Sequence, residues 1–254
     1  SATITYEIRP GTTMIGLSRD LEMAGLLPMP ASLFELYGRL TARVGPIKAG
    51  EYELTERMSA RDILTLFRVG RVIQRQVTFV EGWTFSQWRA LLAQTPGVVP
   101  TLDGFDDHRV MQLLGQGDTH AEGRFFPDTY HYLRGDTDMS ILARALRRMQ
   151  NILAEEWATG SQFPVVRSFD EALVLASIVE KETGYEPDRV RIAGVFLQRL
   201  AEGMRLQSDP TVIYGIQNFN GNLTRADLTR AGPYNTYMNE GLPPTPICNP
   251  GLAS

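Results

Sequence analysis

The chain has 254 residues, 43% of them hydrophobic, and a formal net charge of −4, which is typical of a globular protein with one large or two modest domains. That charge gives no support to a nucleic-acid partner, which usually requires a concentrated basic patch. The single cysteine, Cys248, excludes a disulfide framework, and the three histidines lack metal-ligand spacing, so we expect no metal and no cofactor.

The sequence also lacks any run of about 18 or more apolar residues, which argues against a membrane span or an intact signal peptide in this chain. It begins at Ser1 without an initiator methionine and stops after the Pro/Gly-rich stretch "PPTPICNPGLAS". We therefore expect a piece of a longer protein, and the missing part could include an anchor.

Three times in the first hundred residues, a short alternating strand is followed by a turn and an amphipathic helix. The segments are "ITYEIRPGTTMIGLSRDLEMAGLL", "GEYELTERMSARDILTLFRVG" and "QVTFVEGWTFSQWRALLAQ", with another helical stretch, "ASLFELYGRLTARVG", after the first. Such units indicate a compact α+β module with helices on a short antiparallel sheet. They either serve packing alone or supply a surface for a polymeric glycan, and composition leaves both alternatives open.

The stretch "GRFFPDTYHYLRGDTD" places four aromatic residues around Asp128, namely Phe125, Phe126, Tyr130 and Tyr132. Pro127 argues against a central strand, so we expect an edge strand or an extended loop. Exposed aromatics beside an acid suit sugar stacking and hydroxyl recognition, which makes Asp128 and Tyr130 candidates for binding a carbohydrate. The alternative is that these aromatic residues belong to the core.

The segment "SFDEALVLASIVEKETG" predicts a helix that carries the main candidate residue. Ser168 is the expected N-cap, and Gly184 is the expected stop because glycine readily takes the left-handed conformation there. At about 100° per residue, Glu182 falls on the apolar side of this helix, whereas Glu180 points the opposite way.

Two effects favour the protonated form of Glu182, which is the form a general acid requires. They are the apolar neighbours and the carbonyl end of the helix dipole. The alternative is a structural acid that forms a salt bridge with one of three nearby arginines, Arg189, Arg191 or Arg205.

Downstream, "VRIAGVFLQRLAEGM" predicts an amphipathic helix that stops at Gly203, and "RLQSDPTVIYGI" predicts a loop that runs into a short strand or helix. The following stretch, "NGNLTRADLTRAGPYNTYMNEGLPPTPICNPG", is dense in Asn, Thr, Gly and Pro with interspersed tyrosines. Loops of this composition are common walls of sugar sites, and a solvated surface loop is the alternative.

The segments "ASIVEKETGYEPDRVRIAGVFLQRLAEGMRLQSDPTVIYG", "YNTYMNEGLPPTPICNPG" and "EGRFFPDTYHY" closely resemble the YceG/MltG family of endolytic murein transglycosylases. The resemblance implies an α+β fold in which a small LysM-like strand–helix module, residues 1–94, precedes a mixed α+β catalytic domain. That domain spans residues 95–254 and is truncated at its C-terminal end. In the family the catalytic acid directly precedes the threonine of "EKET", which here is Glu182.

The resemblance further implies that the parent protein is anchored in the inner membrane by one amino-terminal helix, with its catalytic part in the periplasm. Its substrate would be the glycan strands of peptidoglycan, and its partners would include cell-wall synthases. The membrane helix is missing from this sequence, as is the segment that usually follows the "PG" loop.

The implied reaction cleaves the β-1,4 bond between N-acetylmuramic acid and N-acetylglucosamine without water. Glu182 would protonate the glycosidic oxygen and then take the proton of the muramyl C6 hydroxyl, which closes on C1 to give a 1,6-anhydro end. We expect seven further residues to orient Glu182 and to hold acetamido groups: Gln207, Ser208, Asp209, Tyr214, Tyr234, Asn235 and Thr236.

Two other functions stay open. A muramidase-type hydrolase would need a second carboxylate, at about 5–5.5 Å if retaining or about 6.5–9.5 Å if inverting, and Asp128 and Asp209 are candidates. A non-catalytic peptidoglycan-binding scaffold would need no acid at all. These functions differ in whether Glu182 faces an open groove or is enclosed by an arginine.

Overall fold

The computed structural model describes residues 3–42, 45–117, 119–159 and 164–254, which form an α+β fold as expected. The first elements are β1 (Thr3–Ile8), α1 (Met14–Met23), α2 (Ala31–Leu40), β2 (Gly50–Thr55), α3 (Ala60–Val69), β3 (Arg75–Thr78) and α4 (Phe85–Gln94). They are followed by α5 (Asp107–Leu113), β4 (Thr129–Tyr132), α6 (Asp138–Thr159), α7 (Phe169–Glu182), α8 (Glu186–Ala201), α9 (Asp209–Tyr214) and α10 (Arg225–Thr229). Within the described ranges, no helix combines the length and the apolarity that a membrane crossing needs.

The chain forms two compact units. The first comprises Ser1–Gln76, Pro96–Val98 and His131–Asp136, and the second comprises Val77–Thr95, Val99–Tyr130 and Thr137–Ser254. This division falls earlier than residue 94 and assigns α4 to the second unit. The reason is aromatic stacking, since Trp88 lies on Phe79 with ring centroids 3.7 Å apart and Phe85 lies on Phe125 at 4.7 Å. A LysM-like module over residues 1–94 stays a prediction.

The first unit is built on an antiparallel pair of strands. Strands β1 and β2 pair in register from Thr3 opposite Thr55 to Ile8 opposite Gly50. Helices α1, α2 and α3 contribute an apolar side each, as their spacing predicts, and the core is Ile8, Leu17, Leu21, Phe34, Tyr52, Leu54, Ala60, Ile63, Leu64 and Phe67. Two of the three strand–helix segments predicted from the sequence therefore form one core.

The second unit positions the candidate site through a cluster of helices. Helix α7 packs against α8 and α9, and their shared core is Val174, Leu175, Ile178, Val179, Phe196, Leu206 and Ile247. The predicted apolar stripe of α7 is therefore confirmed as a packing face. Helix α8 ends before Gly203, which has the left-handed φ of 66° expected of a stop.

We expect Ser168→Ala to lower the free energy of unfolding by about 1 kcal/mol, because Ser168 is the N-cap of α7. Its side chain accepts a hydrogen bond from the backbone N–H of Glu171 at 3.2 Å, as the sequence predicted. Urea unfolding measures the loss. Ser168→Asp retains a capping oxygen and serves as the control, so equal losses in both variants would contradict the capping role.

Candidate active site

Helix α7 ends at Glu182, and the chain leaves the helix immediately afterwards. Thr183 is extended, with φ −148° and ψ 135°, and its Oγ1 accepts a hydrogen bond from the N–H of Tyr185 at 3.0 Å. The predicted left-handed stop at Gly184 is wrong, because Gly184 is not among the glycines with positive φ. The turn is made by Thr183, and Glu182 is left at the open end of the helix.

The two acids near the end of this helix, Glu180 and Glu182, have environments opposite to those that the helical projection predicted. Glu182 is exposed, whereas the side chain of Glu180 is only 6% exposed. The projection is wrong for Glu182 because this residue lies beyond the last turn of α7 that packs on the apolar cluster. It is wrong for Glu180 because residues 251–254 cover the side of α7 on which Glu180 lies. The N–H of Gly251 and the hydroxyl of Ser254 both donate to Glu180 Oε2, at 3.0 and 2.7 Å.

None of the three arginines considered for Glu182 pairs with it. Arg189 forms its ion pair with Glu180, with Nη2 3.0 Å from Oε1. Arg205 donates instead to the backbone oxygen of Tyr237 at 3.1 Å. Over the residues described, Glu182 takes part in no ion pair, so the salt-bridge alternative is not supported.

One polar partner holds the Glu182 carboxyl group. The hydroxyl of Ser208 donates to Glu182 Oε1 at 2.5 Å, and Ser208 is 1% exposed. The position of Ser208 is fixed from behind, because its N–H donates to Thr236 Oγ1 at 3.0 Å and Thr236 is also hydrogen-bonded to Thr211. No hydrogen bond joins the other oxygen, Oε2, to any residue in the described part of the chain.

Gln207 precedes Ser208 in an unusual backbone conformation. Its φ is 53°, in the left-handed region that non-glycine residues rarely adopt, and its N–H donates to the backbone oxygen of Thr236 at 3.1 Å. Strained residues of this kind persist where the surrounding structure holds them and cluster at functional sites. Its neighbours Leu206 and Ser208 are both buried, which fixes the backbone on either side of it. Gln207 itself is exposed.

Sequence reasoning missed a second acid–hydroxyl pair beside Glu182. The Tyr237 hydroxyl donates to Asp209 Oδ1 at 2.7 Å. This hydrogen bond, with burial and the negative charges of Asp209 and Glu182, raises the pKa of Tyr237 to about 12. Tyr237 therefore stays a proton donor at neutral pH. The signal that could have found it is its place in "YNTYMN", two residues after Asn235.

Three other predicted site residues do not contact Glu182. Asn235 donates its side-chain amide to the backbone oxygens of residues 227, 228 and 230, which closes the loop after α10. Tyr214 donates to Glu122 at 3.0 Å, and the Tyr234 hydroxyl bonds to Thr245 Oγ1 at 2.8 Å. Their roles in binding a substrate stay predictions, and the structure gives each of them a protein partner.

Of the two alternatives that the sequence left open for the aromatics around Asp128, the structure supports the core. Phe125, Phe126, Tyr130 and Tyr132 are all buried, at 0%, 7%, 7% and 4% exposure. The Tyr130 hydroxyl donates to the backbone oxygen of Phe126 at 2.7 Å, and Asp128 forms an ion pair with Arg148 at 2.6 Å. The core alternative therefore describes this stretch, because α4 and α6 cover it, and binding by Asp128 or Tyr130 stays a prediction without a contact to Glu182.

The arrangement at Glu182 suits proton transfer by one carboxyl group. One oxygen is oriented by a buried hydroxyl and the other is free, and a phenol that keeps its proton stands beside it. Among the described residues, no group of three or more His, Cys, Asp or Glu side chains could hold a metal ion.

Comparison with known proteins gives concordant results over nearly the whole chain. A profile of the YceG-like family matches residues 6–254. The endolytic murein transglycosylase of Bacillus subtilis is 29% identical over an alignment of 269 positions, which covers 99% of this chain and 74% of that protein. The protein of the same name from Streptococcus pneumoniae is also 29% identical and aligns with 98% of this chain, which spans 50% of its length. A crystal structure of a yceG-like protein from Listeria monocytogenes superposes with a TM-score of 0.57, at 29% identity, over 99% of this chain and 88% of that one.

Proposed function

The chain belongs to the YceG-like family, and we propose that it is the catalytic part of an endolytic murein transglycosylase, a lyase that cleaves peptidoglycan strands internally. The observation that carries this proposal is the Glu182 carboxyl group. It is exposed at the end of α7, and the Ser208 hydroxyl holds one of its oxygens at 2.5 Å. No arginine neutralises it among the described residues.

The proposed reaction uses Glu182 twice. In its protonated form, Glu182 donates the proton to the oxygen of the β-1,4 bond between N-acetylmuramic acid and N-acetylglucosamine, and the bond from C1 to that oxygen breaks. The resulting carboxylate takes the proton of the muramyl C6 hydroxyl, whose oxygen bonds to C1. The products are a 1,6-anhydro-muramyl end and a free N-acetylglucosamine end, and no water is consumed. Oε2 is the oxygen available for both transfers, since Oε1 is held by Ser208.

Digestion of purified sacculi tests the proposal. Mass spectrometry separates anhydro ends from reducing ends, because the two differ by one water. We expect new anhydro ends on long released fragments as well as on short ones, which also identifies endolytic cutting. Reducing ends alone would replace the proposal with a hydrolase.

A muramidase-type hydrolase is the second candidate, and one observation favours it. Asp209 is a second carboxylate in the neighbourhood of Glu182, since it directly follows Ser208 and its partner Tyr237 also experiences the negative charge of Glu182. A hydrolase would use such an acid to activate water or to form a covalent intermediate. The product analysis distinguishes the two reactions directly. Asp128 is a weaker candidate for that acid, because it is already paired with Arg148.

We expect Ser208→Ala to lower kcat by about tenfold or more while KM changes little. Ser208 is a positioning residue, and hydrogen bonds to charged groups contribute roughly 1.5–3 kcal/mol. The rates of anhydro-end formation at saturating and limiting substrate separate kcat from KM. Ser208→Thr keeps a hydroxyl and should recover most of the rate, so a Thr variant as slow as the Ala variant would contradict the positioning role.

We further propose that the parent protein is anchored in the inner membrane and carries this part in the periplasm, where peptidoglycan lies, with cell-wall synthases as partners.

We also propose that residues 1–94 bind long glycan strands as a LysM-like module. Removal of residues 1–76, the N-terminal part of the first unit, should then weaken binding to long strands more than to short ones. An unchanged ratio of long-strand to short-strand affinity after the removal would contradict this role.

A further inference from the structure

The second unit contains a cavity of about 650 Å³ beside Glu182 that the reaction above does not use. Lys181 lines it, whereas Glu182 does not. Its polar wall includes His120 and Glu122, and its apolar wall includes Ile213 and Tyr214. Ligand sites commonly have volumes of about 300–1,000 Å³, mostly apolar walls and a few converging polar groups. This cavity has the volume and the converging polar groups, and its lining combines those apolar side chains with polar ones such as Thr84, Ser86 and Gln87.

Glu122 is the most buried acid of the cavity, at 4% exposure. Its oxygens accept hydrogen bonds from the N–H of Phe85 at 2.9 Å and the hydroxyl of Tyr214 at 3.0 Å, and no described cation forms an ion pair with it. Burial is the largest cause that raises the pKa of Glu122 to about 7, and these two hydrogen bonds oppose it. Near neutral pH, Glu122 is therefore protonated in a large fraction of molecules and carries an O–H that it can donate.

His120 supplies a second donor. Its Nδ1 accepts the N–H of Glu122 at 3.1 Å, so the neutral ring carries its proton on Nε2. Burial is the main cause that lowers the pKa of His120, against the opposing charge of Asp107, so the ring is mainly neutral at pH 7. The charge of Asp107 is itself balanced, because Arg89 Nη1 lies 2.8 Å from its Oδ1.

Lys181 is the remaining cation of the cavity wall. Its ammonium group donates to the backbone oxygen of Gly82 at 3.3 Å, and no carboxylate within the described residues forms an ion pair with it. The cavity thus combines one unpaired positive charge with donors from His120 and Glu122. A ligand that satisfies these groups carries a negative charge and several acceptor oxygens.

We propose that this cavity binds a carboxylate of the peptide stem on N-acetylmuramic acid, with Lys181 as the counter-charge and Glu122 and His120 as hydrogen-bond donors. This assignment rests on the proposed function, because it takes its ligand from the same substrate. It implies that the protein acts on strands that carry peptides.

The position of the cavity supports a ligand that is joined to the glycan. Lys181 and Glu182 are consecutive residues at the end of α7, and they face the cavity and Ser208 respectively. Helix α9 also connects the two places. Ser208, which bonds to Glu182, lies directly before this helix, and Tyr214, which lines the cavity, is its last residue. This proximity suits a ligand whose sugar lies at Glu182 and whose carboxylate-bearing substituent reaches the cavity.

Binding of N-acetylmuramyl-L-alanyl-D-glutamate to the whole chain tests the proposal, with N-acetylglucosamine as the ligand without a carboxylate. NMR titration should give tighter binding of the muramyl peptide, and Lys181→Met should weaken that binding by about tenfold, as expected when a charge-assisted hydrogen bond is lost. The only other lysine of the chain, Lys48, lies in the first unit, so Lys48→Met is the matched control. Equal affinity of the two variants, or of the two ligands, would overturn the proposal.

The pH dependence provides an independent test. The titratable groups around Glu122 are Asp107 from α5, His120 beside it, Lys181 from α7, Tyr214 from α9 and the buried thiol of Cys248, whose pKa is raised far above neutral mainly by burial. Since ionised Glu122 repels a carboxylate, the affinity should fall as the pH rises through about 7. Glu122→Gln stays neutral and should bind with the same affinity on both sides of that pH. A wild-type affinity that stays constant with pH would contradict the role of Glu122.

Digestion of sacculi by the same preparations separates this proposal from the proposed function. Anhydro ends without muramyl-peptide binding would overturn the cavity proposal alone. Muramyl-peptide binding that depends on Lys181, without anhydro ends, would support the cavity and overturn the reaction.

Discussion

Glu182→Gln should reduce the release of anhydro ends from purified sacculi by about 10²–10⁴-fold, because general acid–base catalysis contributes rate factors of that size and Glu182 acts in both steps. The amide has nearly the same size as the acid and can still accept the hydrogen bond of Ser208, but it has no proton to transfer. The variant should therefore fold normally, since Glu182 is exposed and forms no ion pair in the described structure. Mass spectrometry of released fragments measures the loss, and thermal unfolding checks the fold.

Glu240→Gln is the matched control for this loss. Glu240 is an exposed acid three residues after Tyr237, and its side chain forms no hydrogen bond or ion pair with the described residues. Its substitution removes the same negative charge near the loop without touching Ser208 or Glu182. We expect the Glu240 variant to keep its full rate. Wild-type rates in Glu182→Gln, or equal losses in both variants, would contradict the assignment of Glu182 as the acid.

Local sequence signals predicted the elements that carry the site. Ser168 caps α7 because its hydroxyl can reach a free N–H of the first turn, and that interaction depends only on residues four or fewer positions apart. The apolar spacing of α7 similarly predicted Leu175, Ile178 and Val179 as a packing face. The sequence also predicted Ser208 beside Glu182, although that expectation came from the family resemblance and not from spacing.

The roles of Glu180 and Glu182 could not be read from the helix alone. Burial of Glu180 is caused by Gly251 and Ser254, more than 70 positions along the chain, and by Arg189 on the next helix. A helical projection assigns directions to side chains, but it carries no information on which side another segment covers. The acid that the projection pointed outward is consequently buried, and the acid that it pointed into the core is exposed.

The aromatic stretch around Asp128 shows the same limit. Composition could not distinguish a stacking surface from a core, because both use phenylalanine and tyrosine. Whether these aromatics are exposed or buried depends on α4. Its Phe85 stacks on Phe125, and the ring centroids of its Trp88 and of Phe125 are 5.9 Å apart. Glu122 lies directly before this stretch, and no sequence pattern distinguishes it from other acids; its importance depends on its burial and on its contact with Tyr214.

The ion pair of Glu180 and Arg189 gives α7 a structural anchor that is separate from its catalytic end. The two side chains are 6% and 8% exposed, and Nη2 of Arg189 also lies 3.9 Å from Oε2 of Glu81. Glu180 accepts two more hydrogen bonds from residues 251 and 254, so it joins α7, α8 and the last residues of the chain. Burial of two charges is costly, and such a pair is stable only while both partners and their hydrogen bonds are present.

Glu180→Ala should therefore lower the free energy of unfolding by about 3–5 kcal/mol, the cost of leaving a buried charge without its partner. The lower end of that range is expected, because Arg189 can turn towards Glu81. Urea unfolding measures the loss, and Glu156→Ala, the same substitution at an exposed position of α6, should stay within about 0.5 kcal/mol of wild type. A Glu180→Leu, Arg189→Met double variant should recover most of the stability, since it removes both charges.

Because Glu180 anchors α7 but does not face Ser208, the folded Glu180→Ala variant should keep its rate per molecule. A loss of rate as large as that of Glu182→Gln, in fully folded Glu180→Ala, would instead make Glu180 the catalytic acid.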